Sequence, residues 1–142
     1  MPPLLLIHPV GVGLSSRFWD RFIRRWHADD PEGKLFAPDL IGCGEADCSS
    51  DPLTPDDWAQ PLVAMLRERN DGPAVVVAQG TTLPIALAMV ERAPELVCGL
   101  VAISPPGWRV LQETFPIERS QQLWRWLFRG PVGNLFYRYA RR

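Results

Sequence analysis

The stretch Ala74-Val75-Val76-Val77-Ala78-Gln79-Gly80-Thr81-Thr82 carries the strongest chemical signal in the chain, and also its largest gap. An aliphatic run leads into a tight turn with small residues two before and two after its centre, and a helical pattern from Leu83 follows at once. A strand-to-helix turn of this kind is a nucleophile elbow: the central residue is held in a strained backbone conformation, so that a hydroxyl stands clear of the sheet and can attack a carbonyl. The central residue here is Gly80, which has no side chain. The layout suits acyl transfer, and the attacking atom is missing.

Four strand-length apolar bursts must position this turn: Leu4 to Ile7, Leu35 to Pro38, Ala74 to Ala78 and Gly99 to Ser104. Helical patterns alternate with them, which calls for a parallel sheet covered on both faces. Strands buried on both faces read as continuous aliphatic runs, as Val75-Val76-Val77 and Leu100-Val101-Ala102-Ile103 do. Thr54-Pro55-Asp56-Asp57 offers a capping threonine, a first-turn proline and an acid three residues after the cap, so a helix is predicted over 55–69. Pro61 lies inside it and should bend it. A second helix is predicted over 82–92, with Pro84 in its first turn, and a third over 18–26, with Phe18, Phe22 and Trp26 along one face. The expected fold class is α/β, a doubly wound and mostly parallel sheet of about four strands, in the order second, first, third, fourth, with helices on both faces.

Composition narrows the function classes. With 142 residues, 46% hydrophobic content and a formal charge of -1, the chain reads as a single globular core without the basic excess of a nucleic-acid binder. No apolar run approaches the roughly 20 residues that span a bilayer, and the opening Met-Pro-Pro-Leu-Leu-Leu-Ile lacks a basic flank and a cleavage site. The expected compartment is the cytoplasm. Cys43, Cys48 and Cys98 have no metal-ligand spacing, and their odd number argues against a disulfide framework. No motif calls for a metal or a cofactor.

Three motifs in order resemble the amino-terminal half of the α/β-hydrolase superfamily. They are Leu-Ile-His8-Pro9-Val10-Gly11-Val-Gly13 followed by Phe18-Trp19, then Ala-Pro-Asp39-Leu-Ile-Gly42-Cys-Gly44-Glu-Ala46, then the elbow at Gly80. The first is similar to the family's His-Gly-type loop and the second to its Asp-x-x-Gly-x-Gly-x-Ser turn. Each ends a predicted strand, and together they cover residues 4–105. Independently of any family, ligands of open parallel sheets bind beyond the carboxyl ends of the strands, where loop N–H groups and helix amino termini converge.

The resemblance implies an oxyanion hole made by the N–H groups of Val10 and Thr81, with Gly80 at its apex and Ser104 on the rim of a small apolar pocket. It implies that His8 braces the oxyanion loop or lines the ligand, since the family's catalytic histidine comes from a loop after the last strand. His27 is expected on the surface. Substitute nucleophiles are not evident: Thr81 has no base placed to activate it, Ser104 matches a position that shapes the site, and Cys43 has no cationic neighbour in sequence. In the family the acid and histidine of the triad follow later strands, which this chain does not reach. No catalytic residue is therefore intact.

The partition expected is 1–107 as a partial α/β-hydrolase core and 108–142 as a helical segment resembling the start of a lid. The latter carries seven arginines against two glutamates, with Trp124, Trp126, Phe128, Phe136, Tyr137 and Tyr139. A lid element is the first reading, and docking on an anionic membrane surface the second. The outer strands should expose unpaired backbone, which leaves room for a homo-oligomer or a complementary chain. The leading expectation is a non-catalytic member that binds a small apolar or ester-like ligand or a partner. The alternatives are an esterase-like hydrolase whose longer form or partner chain supplies the histidine and acid, and a self-associating interaction module.

Overall fold

The computed structural model describes residues 1–11 and 13–105, and within them one compact unit, Met1–Pro105. The expectations for 108–142 lie outside the described residues. Four parallel strands, β1 (Leu4–Ile7), β2 (Leu35–Phe36), β3 (Ala74–Gln79) and β4 (Val97–Ile103), form one sheet in the order β2-β1-β3-β4. That is the expected order. β2 is shorter than its apolar run because Ala37 and Pro38 already leave the ladder: proline has no N–H to donate. β4 begins two residues earlier than expected, pairing Val97 with Ala74 across a register shift at Ala74/Val75.

Helices α1 (Asp20–Asp29), α2 (Pro55–Arg69) and α3 (Leu83–Arg92) connect the strands. The start of α2 is built as its sequence implies. The Thr54 hydroxyl oxygen accepts from the Asp57 backbone N–H at 3.3 Å, and the Asp57 carboxylate accepts from the Thr54 N–H at 2.8 Å. The helix continues through Pro61 and stops at Asn70, whose φ of 50° is left-handed. α2 and α3 lean on one another at the α2 amino end, where the Arg92 guanidinium pairs with the Asp56 carboxylate.

The two sheet faces are unequally covered. Leu5, Ile7, Val76 and Ala78 meet α2 and α3 in the larger core, with Leu62, Leu66, Ile85 and Met89 among the buried residues. On the opposite face Leu6 and Val77 meet Trp19, with Ile23 of α1 packed against them. Burial of such side chains is worth about 1.5 to 3 kcal/mol each, so the α2–α3 side dominates the stability of the unit.

The third expected helix is divided. Ser16–Trp19 form a tighter 3-10 turn and α1 begins only at Asp20. Within it the Phe18-Phe22-Trp26 face is not the buried one: Phe18 and Phe22 remain exposed, while Trp19 is buried. The rings instead pack along the helix, Phe18 edge-on to Trp19 at 5.0 Å and Phe22 stacked on Trp26 at 5.9 Å.

Candidate functional site

In a parallel sheet all strands end on the same edge, so the loops after β1, β2, β3 and β4 gather there. The loop after β3 starts at Gly80, with φ of 64°, and turns through the 3-10 segment Gly80–Thr82 directly into α3. A left-handed conformation is strained for any residue with a Cβ. A Cβ built at Gly80 meets nothing within 4 Å, so a side chain there would stand in open space. The turn at Gly80 thus combines a left-handed backbone with open space at the Cβ position. Thr82 locks the turn: its buried hydroxyl donates to the Gln79 carbonyl at 3.0 Å and accepts from the Gln79 N–H at 3.2 Å. The N–H of Thr81 lies in the first turn, ahead of any helical acceptor.

One prediction follows from this geometry. Gly80→Ser should lower stability by about 1 to 2 kcal/mol through backbone strain alone, since the new side chain has nothing to clash with. Thermal unfolding followed by circular dichroism should show the midpoint falling by several degrees. An unchanged or raised midpoint would refute strain at the apex.

His8 and Val10 sit in the loop after β1. Val10 is exposed, whereas His8 is 0% exposed. Through its ring His8 links the loop after β1 to the loop after β2. Its Nε2 accepts from the backbone N–H of Leu40 at 3.0 Å, so the ring hydrogen belongs on Nδ1, which donates to the Pro9 carbonyl at 3.0 Å. Both ring nitrogens are thus occupied. His27 is exposed in the last turn of α1.

Asp39, quoted in the motif without a role, organises the loop after β2. Its Oδ1 accepts from the Ser16 N–H at 2.7 Å and its Oδ2 from the Glu45 N–H at 2.9 Å. Burial pushes its pKa up, but the backbone donors of Glu45 and Ser16 outweigh burial and hold the carboxyl below its ordinary value. Gly44, at φ of 54°, lets the chain fold over this carboxylate: a Cβ at residue 44 would fall onto Asp39. The indole N–H of Trp58 in α2 donates to the Ile41 carbonyl at 3.1 Å and holds the other side of the loop. Cys43 is buried there; burial raises its thiol pKa, with the Gly11 N–H acting against that shift. A buried, protonated thiol is a poor nucleophile, in keeping with an ordinary cysteine.

Ser104 follows β4, exposed and at φ of 47°, a left-handed conformation unusual for serine. The fold therefore brings Val10, Gly80, Thr81 and Ser104 to one edge of the sheet, with His8 behind it. Among the described residues no group of three His, Cys, Asp or Glu side chains could hold a metal ion. No helix of the described residues is long and apolar enough to cross a membrane.

The model of the alpha/beta hydrolase family matches residues 4–142. The chain belongs to that family. Among relatives of this chain is the lipase LipV of Mycobacterium tuberculosis (strain ATCC 25618 / H37Rv), 33% identical over 102 residues, which are 72% of this chain and 36% of LipV. A thermophilic esterase from Thermogutta terrifontis superposes over 93% of the chain and 46% of its own, with a TM-score of 0.74 and 20% identity. A haloalkane dehalogenase from Agrobacterium tumefaciens C58 superposes over 73% of this chain and 34% of its own, with a TM-score of 0.61 and 24% identity. The chain thus spans about a third to a half of the length of these relatives.

Proposed function

We propose that this alpha/beta hydrolase-fold chain binds a small, largely apolar ligand through an ester or carboxylate oxygen and does not form a covalent acyl intermediate. The carrying observation is Gly80: an elbow with its left-handed φ of 64° and open space above it, but no hydroxyl. Nucleophilic catalysis needs an attacking atom, a base in reach of it and a group that orients the base. Of the two histidines in the sequence, His8 has both nitrogens engaged away from the surface and His27 lies on α1.

The electrostatic half of the machinery is made of backbone and does not depend on the missing side chain. In the proposed arrangement the N–H groups of Val10 and Thr81 receive the ligand oxygen, as donors aimed at a developing oxyanion do in acyl transfer. Ser104 edges the same region. The space above Gly80 admits the ligand where a serine would otherwise project. Relatives bearing the names lipase, esterase and haloalkane dehalogenase support hydrolase-type substrates as the ligand class. The family match over residues 4–142 also supports a second reading, a hydrolase completed by a histidine and an acid from a longer form or a partner chain, with activated water as nucleophile.

A fluorophosphonate probe, a panel of p-nitrophenyl esters and a thermal-shift titration with butyrate test this. The expected outcome is no labelling, no ester turnover and a melting temperature that rises with butyrate. Labelling would sink the non-covalent reading. Ester turnover without labelling would favour the second one, and a melting temperature indifferent to butyrate would remove the carboxylate as ligand.

A further inference from the structure

We propose that Cys43 and Cys48 form a reversible disulfide that ties off the loop after β2 and takes the Cys43 sulfur away from the Gly11 N–H, releasing the loop after β1. The backbone prepares the two cysteines for it. The Cys43 N–H donates to the Leu40 carbonyl at 2.8 Å and the Ala46 N–H to the Cys43 carbonyl at 3.0 Å, which turns the chain back on itself. The Gly42 N–H then donates to the Asp47 carbonyl at 2.8 Å and closes the turn. Cys43 and Cys48 are the residues that follow the two members of this last pair, so the same closure carries both thiols to one place.

The electrostatics of Cys43 register that approach. Burial is the main cause that raises its thiol pKa, and negative charge on Asp39 and on Cys48 adds to it, so the Cys48 sulfur lies within Coulombic reach. The Cys43 sulfur also accepts from the Gly11 N–H, which makes this one side chain a tie between the loops after β1 and β2. A disulfide fixes the direction of each sulfur tightly. Turned toward Cys48, the Cys43 sulfur leaves Gly11 without its acceptor.

The oxidant is a low-molecular-weight disulfide such as glutathione disulfide. Cys48 is exposed and Cys43 is buried, so Cys48 is attacked first and Cys43 resolves. The Cys48 thiolate attacks one sulfur of glutathione disulfide, whose S–S bond breaks and releases one glutathione thiolate. The Cys43 thiolate then attacks the Cys48 sulfur and displaces the second glutathione. Two cysteine thiols are oxidised to one disulfide, glutathione disulfide is reduced to two glutathione molecules, and the two thiol protons end on these. Val10, a proposed oxygen donor, precedes Gly11, so oxidation also reaches the ligand reading above; the disulfide and its effect on Gly11 stand without that reading.

Peptide mapping of the full chain after incubation with glutathione disulfide tests the proposal. Trypsin, cutting after Lys34 and Arg67, releases one peptide, 35–67, that holds Cys43 and Cys48 but not Cys98. In monomeric protein this peptide should be lighter by two hydrogen atoms and regain them with dithiothreitol. Ring closure should be at least about tenfold faster in native buffer than in urea at the same pH, because only the folded loop holds the thiols together. A peptide that keeps both hydrogens, or that carries glutathione on either cysteine without closing, overturns the disulfide, as does closure no faster than in urea. Amide hydrogen exchange followed by NMR should show the Gly11 N–H exchanging at least about tenfold faster in the oxidised chain. Cys48→Ser should abolish that response while leaving Gly11 as protected as in the reduced wild type. Unchanged exchange at Gly11 once the disulfide has closed overturns the coupling between the two loops.

Discussion

Gly44→Ala should be among the most destabilising single-methyl additions in the described chain, costing about 3 kcal/mol and lowering the thermal midpoint by roughly 10 °C. Two costs combine. A φ of 54° strains any residue with a Cβ, and the Cβ itself would land on the Asp39 carboxylate, which must then give up its place. Asp39 cannot move cheaply, because its two oxygens hold the N–H groups of Ser16 and Glu45. Displacing it loosens the 3-10 turn before α1 and the loop after β2 together.

The same carboxylate provides a second readout. Its pKa is lowered in the folded state, since the backbone donors outweigh burial, so its contribution to stability is complete above the ordinary aspartate range. That contribution is lost as pH falls through the depressed folded value. Urea unfolding of the wild type should therefore show stability declining below about pH 4, and in Gly44→Ala that part of the decline should shrink. An alanine variant with wild-type stability and an unchanged acid limb would show that the turn relaxes freely. Gly42→Ala is the control, because it shares a positive φ of 81° but has open space at its Cβ.

How much of this was legible beforehand depends on the range of the interaction. The cap, first turn and end of α2 were written within a few residues, Thr54 to Asp57 and Arg69, and the helix formed at the expected bounds. Apolar runs and the alternation of strands with helices led to the sheet and its order, because burial on both faces leaves an aliphatic signature. The Gly80 turn was visible for the same reason: strand, small residues and helix are adjacent in sequence. The backbone partners of Asp39 and His8 were not. Asp39 acts on Ser16, 23 residues away, and His8 on Leu40, 32 residues away. No local pattern records which backbone N–H a side chain will meet across the sheet.

The division before α1 was hidden in a similar way. Phe18, Phe22 and Trp26 do share a helical stripe, but which stripe is buried is decided by where Leu6 and Val77 lie beneath, and they select Trp19 and Ile23. The glycines of the Asp-x-x-Gly-x-Gly turn were legible as turn residues, yet only the contact between residue 44 and Asp39 separates the one that is sterically indispensable from the one that is merely bent. At the site, the distinction matters in reverse. Gly80 holds its left-handed φ with no contact demanding it at the Cβ position, because Thr82 and the entry into α3 determine the backbone there.

His8→Ala should cost still more than the Gly44 change, about 3 to 4 kcal/mol, and should do so without touching any group at the mouth of the site. Removing a wholly buried imidazole leaves a cavity between β1 and the loop after β2. It also strands the N–H of Leu40, a residue 2% exposed, whose acceptor is His8 Nε2 at 3.0 Å. A buried donor left unpaired costs about 1 to 3 kcal/mol, and the cavity adds to it. His8→Gln discriminates between the two costs, because a glutamine carbonyl can reach the position of Nε2 and accept from Leu40. Chemical denaturation should therefore place His8→Gln between wild type and His8→Ala, recovering about 1 to 2 kcal/mol. In wild-type protein, nitrogen NMR of the ring should report hydrogen on Nδ1 and a bare, hydrogen-bonded Nε2. The other tautomer, or an alanine variant as stable as wild type, would mean that the link from His8 to Leu40 does not hold the two loops together.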